Sequence, residues 1–391
     1  MLVKVLVFAW LFVGVSAAFS CPKDKITIAA GKTGVIPSGA TDKVKFAAGT
    51  QCTFTFTIPK GYAIRMESSA NYEVSPGDFV KFDYFFIMDG ADKDVEYAMG
   101  PELNVSLMSV TGNLNFFAKY SYLDLSRFSQ VVKKTGDYFN TTLEPMKYYT
   151  VQATAGDTVT WNLAMRDTGF YDHSIYELMM FDGPDITNSE YIGRVTEYSR
   201  SFDIHSETNT LTFLNLYGSA SDSFIMANDY SKIQPLPQYN AWVVAPNADT
   251  SGWMYNVHLK DDAYYTFICD GCTHFYIDQM YFTNESYTDG FVEVQSMSPT
   301  QGLPVVLKYT DSVNTGNSLP QLILSPMATF HTHRATIKFN FKPDLQTNRI
   351  VDRSEQKAMP MLDNPKQSFS DKFSDSEKVN KFVNTDSVQL V

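Results

Sequence analysis

Thr53-Phe54-Thr55-Phe56-Thr57-Ile58 alternates small polar with large apolar residues and stops at Pro59-Lys60-Gly61. Successive side chains of a strand point to opposite faces, so Phe54, Phe56 and Ile58 share one face and the threonines the other. A strand this one-sided is unstable until other strands cover it, which commits the segment to a layered β architecture. The turn-then-alternation form of Ala48–Phe56 returns at Ala153–Leu163, setting Phe54 against Trp161 and Cys52 against Val159. Phe86-Ile87-Met88-Asp89-Gly90, followed by Ser109-Val110-Thr111-Gly112-Asn113-Leu114-Asn115-Phe116, returns as Leu178-Met179-Met180-Phe181-Asp182-Gly183 followed by Ser206-Glu207-Thr208-Asn209-Thr210-Leu211-Thr212-Phe213. Strand, Asp-Gly turn and hairpin recurring in one order read as tandem β modules built for display and binding.

A chain of 391 residues suits two or three such cores, and its 44% hydrophobic and 14% aromatic content can fill them. Residues 1–20 read as a signal peptide: Lys4, an apolar run over 5–15, then Ser16, Ala17 and Ala18. That run is shorter than a bilayer requires, and no later segment supplies a spanning helix or lipid anchor. The expected product is secreted and extracellular; association with membrane rafts has no support in the residues. Losing the leader, whose one charge is Lys4, moves the formal charge from −12 to −13, which disfavours nucleic acid and anionic membranes as partners.

In an oxidising compartment the four cysteines predict two disulfides, and of three pairings the local one joins Cys21 to Cys52 and Cys269 to Cys272. The first bridge is worth about 3–4 kcal/mol by loop closure. Asn104, Asn140 and Asn284 sit in Asn-x-Ser/Thr triplets, which in a secreted chain mark exposed loops that accept glycan. The expected segments are 21–135, 136–238 and 239–342, with prolines 235, 237 and 246 near the last junction, and a flexible polar tail over 343–391.

Cys21, Gly34-Val35-Ile36-Pro37-Ser38, and Cys52 leading through Phe54 and Phe56 to Pro59-Lys60-Gly61 resemble the CUB domain, more closely the CUB-like domain of secreted nematode proteins. The resemblance is clearest in the first segment, weaker in the second and faint in the third, where a degenerate repeat is the furthest reading. It implies an all-β fold of tandem antiparallel β-sandwich (jelly-roll) modules, whose loops bind proteins or sugars, and a role in innate immune defence. Two departures matter: no cysteine lies between Cys52 and Cys269, and Lys119 and Leu216 stand where calcium-binding CUB domains place an aspartate. The family's calcium site is therefore not expected here.

Other candidate chemistry has a plainer reading. Asp89, Asp182 and Asp185 could ligate calcium, but Asp and Gly are also what β-turns require. Cys269-Asp270-Gly271-Cys272 lies between two predicted strands and reads as a hairpin turn with a cystine across it, rather than a redox or zinc motif. His331 and His333 share one strand face without an identifiable third metal ligand. Trp161 suits a core, whereas Trp242 and Trp253 lie in loop-like sequence and are candidate ligand-binding residues. Hydrolase and phosphate-loop motifs are absent, and no cofactor is implied. The expectation is a non-enzymatic binding protein for a glycan or an extracellular protein. The alternatives are a glycosidase-like hydrolase using acidic loop residues and a structural coat component.

Overall fold

The computed structural model describes residues 21–343 apart from 23–24, 28–32, 73–76, 83–84, 87–91, 166–171, 173, 199–203, 219, 257–261, 284–285, 303 and 311. The expected leader and tail, Asp89 and Asn284 lie outside the described residues.

Alternation makes the first sandwich. Its strands are β1 (Thr33–Ile36), β2 (Val44–Lys45), β3 (Thr50–Thr57), β4 (Tyr62–Asn71), β5 (Phe79–Phe82), β6 (Phe85–Phe86), β7 (Asp92–Ala98), β8 (Glu102–Ser109) and β9 (Asn115–Asp124). One sheet is ordered β3-β8-β5-β6 and the other β1-β9-β4-β7, with β2 also on β9. Phe54 and Phe56 of β3 meet Ile64, Phe116 and Tyr120 of the opposite sheet in one buried core. The Cys21–Cys52 disulfide, with Cα atoms 5.4 Å apart, ties the start of the chain to this core.

The second sandwich comprises β10 (Ser129–Lys134), β11 (Tyr138–Asn140), β12 (Lys147–Gln152), β13 (Val159–Ala164), β14 (Leu178–Asp182), β15 (Glu190–Arg194), β16 (Thr210–Asn215) and β17 (Phe224–Asp229). Its sheets run β10-β12-β16-β14-β15 and β11-β17-β13 around a core that includes Trp161. The third comprises β18 (Tyr239–Val243), β19 (Thr250–Met254), β20 (Asp262–Ile268), β21 (Phe275–Phe282), β22 (Phe291–Ser296), β23 (Val305–Tyr309), β24 (Gln321–Ile323), β25 (Met327–His333) and β26 (Ile337–Lys342). Its sheets run β18-β20-β25-β22-β23 and β19-β26-β21-β24.

Position for position these orders coincide. The first sandwich follows the same plan, with Ile26 bridging Phe56 in parallel ahead of β3-β8-β5-β6 and with β1-β9-β4 opposite. A further segment flanks β4, β13 and β21 in turn: β7, a bridge from His205 to Thr160, and β24. The third region, whose sequence resemblance is faint, therefore carries the same strand order as the other two.

Most pairings are antiparallel, as expected, but β10 runs parallel to β12 and β18 parallel to β20. The intervening strand of each pair, β11 or β19, belongs to the opposite sheet, so the chain returns to its first sheet in its original direction.

The internal alignment read from the sequence is offset. Phe54 lies in β3, whose counterpart is β12, whereas Trp161 lies in β13, the counterpart of β4. Ser109–Asn113 crosses from β8 to β9 in the opposite sheet, while Ser206–Asn209 leads into β16, the counterpart of β8. Neither segment is a hairpin. A period-two pattern carries no register, so one strand aligns with its neighbour as readily as with its true counterpart.

Each sandwich grips one inter-sheet crossing with an aspartate placed ahead of its β5, β14 or β22. Asp78, nearly fully buried, accepts from the N–H groups of Val110 (2.5 Å) and Thr111 (2.9 Å) and from the Thr111 hydroxyl (2.5 Å) between β8 and β9. Asp172 accepts from the hydroxyls of Ser221 and Ser223, both at 2.5 Å, between β16 and β17. Burial alone would raise its pKa, but these hydroxyls together with the hydroxyl and N–H of Ser174 outweigh that and hold it below the usual carboxylate range. In the third sandwich Asp289 takes Arg334 Nη1 at 2.5 Å, between β25 and β26.

The sandwiches stack through apolar faces. Ala63, Tyr97 and Leu123 on the β1-β9-β4-β7 sheet meet Met179, Phe181 and Leu214 on the next. Ala164, Phe224 and Met226 of the β11-β17-β13 sheet meet Ala241, Val243, Ile268 and Met327 of the third sandwich. Polar groups lock the first junction: the Tyr217 hydroxyl donates to Glu96 Oε2 (2.5 Å) and accepts from the Tyr97 N–H (3.0 Å). Arg194 donates to the carbonyls of Tyr97 and Tyr176, each at 2.8 Å. Burial raises the Glu96 pKa; Tyr217 and Arg194 offset this in part, and Asp94 adds to it.

Two outcomes are expected. Asp78→Ala strands buried donors and lowers stability by about 1–3 kcal/mol for each group left unsatisfied. Asp78→Asn, which keeps an acceptor, costs less; urea unfolding checks the order. A carboxyl with a raised folded-state pKa stabilises most below its unfolded pKa and loses that contribution as pH rises through the folded value. Wild-type protein should therefore lose thermal stability relative to Glu96→Gln between pH 4 and pH 7, measured as the difference between their melting midpoints.

Candidate binding surface

The residues singled out in the sequence fall into two groups, those consumed by the scaffold and those left at its surface. Asp182 is consumed: it accepts from the N–H groups of Glu207 (2.5 Å) and Thr208 (3.1 Å) and from the Thr208 hydroxyl (2.7 Å), fastening the segment that leads into β16. Asp185 caps its own turn, accepting from the N–H groups of Thr187 (2.7 Å) and Asn188 (2.6 Å) and the Thr187 hydroxyl (2.8 Å). Partial burial pushes the Asp185 pKa up, but these donors outweigh it and the net shift is downward. Both carboxylates thus serve as turn acceptors.

Cys269 and Cys272 are joined, with Cα atoms 5.4 Å apart. The expected hairpin is not what they close. β20 and β21 belong to opposite sheets, so Asp270-Gly271 turns the chain across the sandwich, and Cys269 is buried against the core. Gly271 takes φ +77°, the left-handed conformation that glycine adopts without strain. Two short strands around an Asp-Gly pair look alike in sequence whether they pair or pack face to face.

Asn104 lies within β8, accepting from the Thr55 hydroxyl at 2.7 Å, and Asn140 lies within β11, its Nδ2 donating to the Ser221 carbonyl at 2.7 Å. Neither stands in a loop. In Asn104-Val105-Ser106 the central valine is fully buried, so this triplet is also what strand alternation produces.

His331 and His333 face outward from β25, and the fold brings them two partners that the sequence spacing did not reveal. Asp262 Oδ1 lies 2.9 Å from His331 Nε2 and 2.6 Å from His333 Nδ1, while Glu293 Oε2 lies 3.3 Å from His331 Nδ1. Tyr264 stacks on His331 at 4.4 Å, Phe291 on His333 at 4.8 Å, and Lys308 holds Glu293 at 2.8 Å. Register explains the grouping, since Tyr264, His331 and Glu293 are opposite one another on β20, β25 and β22.

The two tryptophan candidates part company. Trp242 on β18 faces inward and packs against Phe267 and Phe339. Trp253 on β19 faces outward, 38% exposed, with Tyr255 stacked on it at 5.8 Å. Across the sheet, Trp253 is opposite Lys338 of β26, and Lys338 is opposite Tyr281 of β21, which is 49% exposed. Beside this row runs a second, Ser251, Asn340 and Gln279. The outer face of the β19-β26-β21-β24 sheet is the counterpart of the faces that dock a neighbour in the first two sandwiches, and among the described residues it is exposed at Trp253 and Tyr281. Trp253 is legible in the sequence, whereas Tyr281 and Lys338 are not, because only cross-strand register brings them beside it.

Close approach of β19 to the core fixes this row. A Cβ on Gly252 would stand 2.9 Å from Phe339 Cζ and 3.4 Å from Trp242 Cζ3.

Residues 16–126 match the family model of the CUB-like domain. The first sandwich is a CUB-like domain. No curated protein matches the chain. Among solved structures, the CUB1-EGF-CUB2 domain of human MASP-1/3 is 12% identical, covering 50% of this chain and 99% of its own, with a TM-score of 0.20. The CUB1-EGF-CUB2 domains of rat MASP-1 are 10% identical over 52% of this chain and 100% of their own, with a TM-score of 0.21. The extracellular region of zebrafish Gpr126/Adgrg6 is 10% identical over 82% of this chain and 53% of its own, at 0.22. The CUB-like identification accordingly rests on the sequence match. Within the matched residues, Cys21 and Cys52 form the local disulfide expected from the sequence.

Gly252→Ala should force β19 off Phe339 and cost about 1–3 kcal/mol, the usual effect of overpacking. Denaturant unfolding followed by tryptophan fluorescence reads both the lost stability and the changed environment of Trp242 and Trp253.

Proposed function

We propose that this is a secreted, extracellular, non-enzymatic recognition protein in which three CUB-like sandwiches carry an open surface to a glycan or an extracellular protein. The extension of the CUB-like reading to the second and third sandwiches is supported by their shared strand order. Proteins with CUB-like domains commonly mediate binding. The observation that carries the proposal is the last sheet: the face that the two preceding sandwiches bury against a neighbour is, among the described residues, exposed, with Trp253 and Tyr281 on it. Innate immune defence is the biological setting implied by the resemblance to secreted nematode CUB-like proteins.

Several acidic side chains that could have suggested hydrolysis are engaged elsewhere. Asp78, Asp172, Asp182 and Asp185 hold turns and crossings, and no described helix is long and apolar enough to cross a membrane.

The full secreted chain should show saturable binding on a panel of glycans and extracellular proteins, and no turnover of glycan or peptide substrates. Saturable hydrolysis would replace this reading with the enzymatic one. In the source organism, a null allele should lower survival under oral infection; unchanged survival and microbial load would remove the defence role.

A further inference from the structure

We infer that the open face of the final sheet binds a short glycan bearing a carboxylated sugar, with Trp253 and Tyr281 stacking on sugar rings and Lys338 pairing with the carboxylate. This rests on the recognition function proposed above and names the ligand class of that surface.

The equivalent faces of the first two sandwiches are occupied. In the first sandwich this face carries Ala63 and Leu123, in the second Ala164, Phe224 and Met226, and both are buried against protein. The third face has a different chemistry. Its central strand β26 presents Lys338 and Asn340 outward between inward Ile337, Phe339 and Phe341. Aromatic rings stand on either side of that polar line, and Ser251 and Gln279 flank Asn340. A dry protein interface would strand these amides and the ammonium group. A sugar does not, because it offers apolar C–H faces to the rings and hydroxyls to the amides. Neighbouring strands lie about 4.8 Å apart, so Trp253 and Tyr281, two strands from each other, suit an oligosaccharide rather than a single ring.

Charge decides which glycan. Two carboxylates among the described residues of this region, Asp278 (3.0 Å) and Asp249 (4.0 Å), go to Lys342. Lys338 has no carboxylate partner among the described residues; its Nζ lies 5.7 Å from the centre of the Trp253 ring. A carboxylated sugar stacked on Trp253 would bring its anion to that ammonium group as a charge-assisted hydrogen bond. The chain as a whole carries −12, which repels dense polyanions and leaves a sparsely charged oligosaccharide as the better fit.

Calorimetry on the full secreted chain tests this with three probes: a uronic-acid-containing oligosaccharide, its neutral counterpart, and heparin. Wild type should prefer the acidic oligosaccharide by about tenfold, the size of a charge-assisted hydrogen bond. That preference should shrink at high salt, and heparin should bind no better than the neutral sugar. Lys338→Gln should bring acidic binding down to the neutral level. Trp253→Ala and Tyr281→Ala should each weaken both sugars, with unchanged circular dichroism. Equal binding of acidic and neutral sugars by wild type, or tryptophan and tyrosine variants that bind normally, would overturn the inference. If wild type bound an extracellular protein and no sugar, the inference would fall while the recognition function stood; hydrolysis of the probes would remove the function itself.

Discussion

One aspartate ahead of β5, β14 or β22 closes each sandwich by holding a crossing between its two sheets. Asp78 takes backbone N–H groups, Asp172 takes serine hydroxyls and Asp289 takes the Arg334 guanidinium. The donors differ, and so does the burial: Asp78 is nearly fully buried, whereas Asp289 is exposed. Such a crossing has few backbone partners of its own, because it leaves one hydrogen-bonded ladder before joining the next. A carboxylate with several acceptor sites answers that need in one residue. Once the crossing is held, the strands on either side face each other and the apolar residues between them are sealed from water.

Stacking follows from the same plan. Each sandwich turns one sheet inward on its own core and offers the other side of that sheet to a neighbour, so the sheets of the first two junctions are apolar on both faces. Leu125 and Phe128, in the short connection between β9 and β10, are themselves packed into the first junction. The last sheet keeps the inward face of this pattern and replaces the outward one with rings, amides and a lysine. Among the described residues, that outward face exposes Trp253 and Tyr281.

The fold was legible where composition and period suffice. Phe54 and Phe56 announced a half-buried strand, and they occupy β3 with their faces as the alternation requires. What the residues could not convey was which strand corresponds to which: Phe54 and Trp161 look equivalent, yet they lie on strands of opposite sheets. The Asp270-Gly271 turn failed for the same reason, since local sequence does not say whether flanking strands pair or pack. The binding surface was half readable. Trp253 could be named, but Trp242 could not be set apart from it, because the two differ only in which side of a strand they occupy. Lys338 and Tyr281 gave no signal, being 57 residues apart in sequence and separated by no more than one backbone register in space.

The packed connection between the first two sandwiches has a mechanical consequence. Flexible tethers lengthen under load before the modules they join are disturbed, but here the segment from β9 to β10 is already part of a packed seam. Tension along the chain would pass directly into sliding of one apolar sheet over the next, resisted by Arg194, Glu96 and Tyr217. Force across the first junction would therefore meet a stiff seam rather than a slack string.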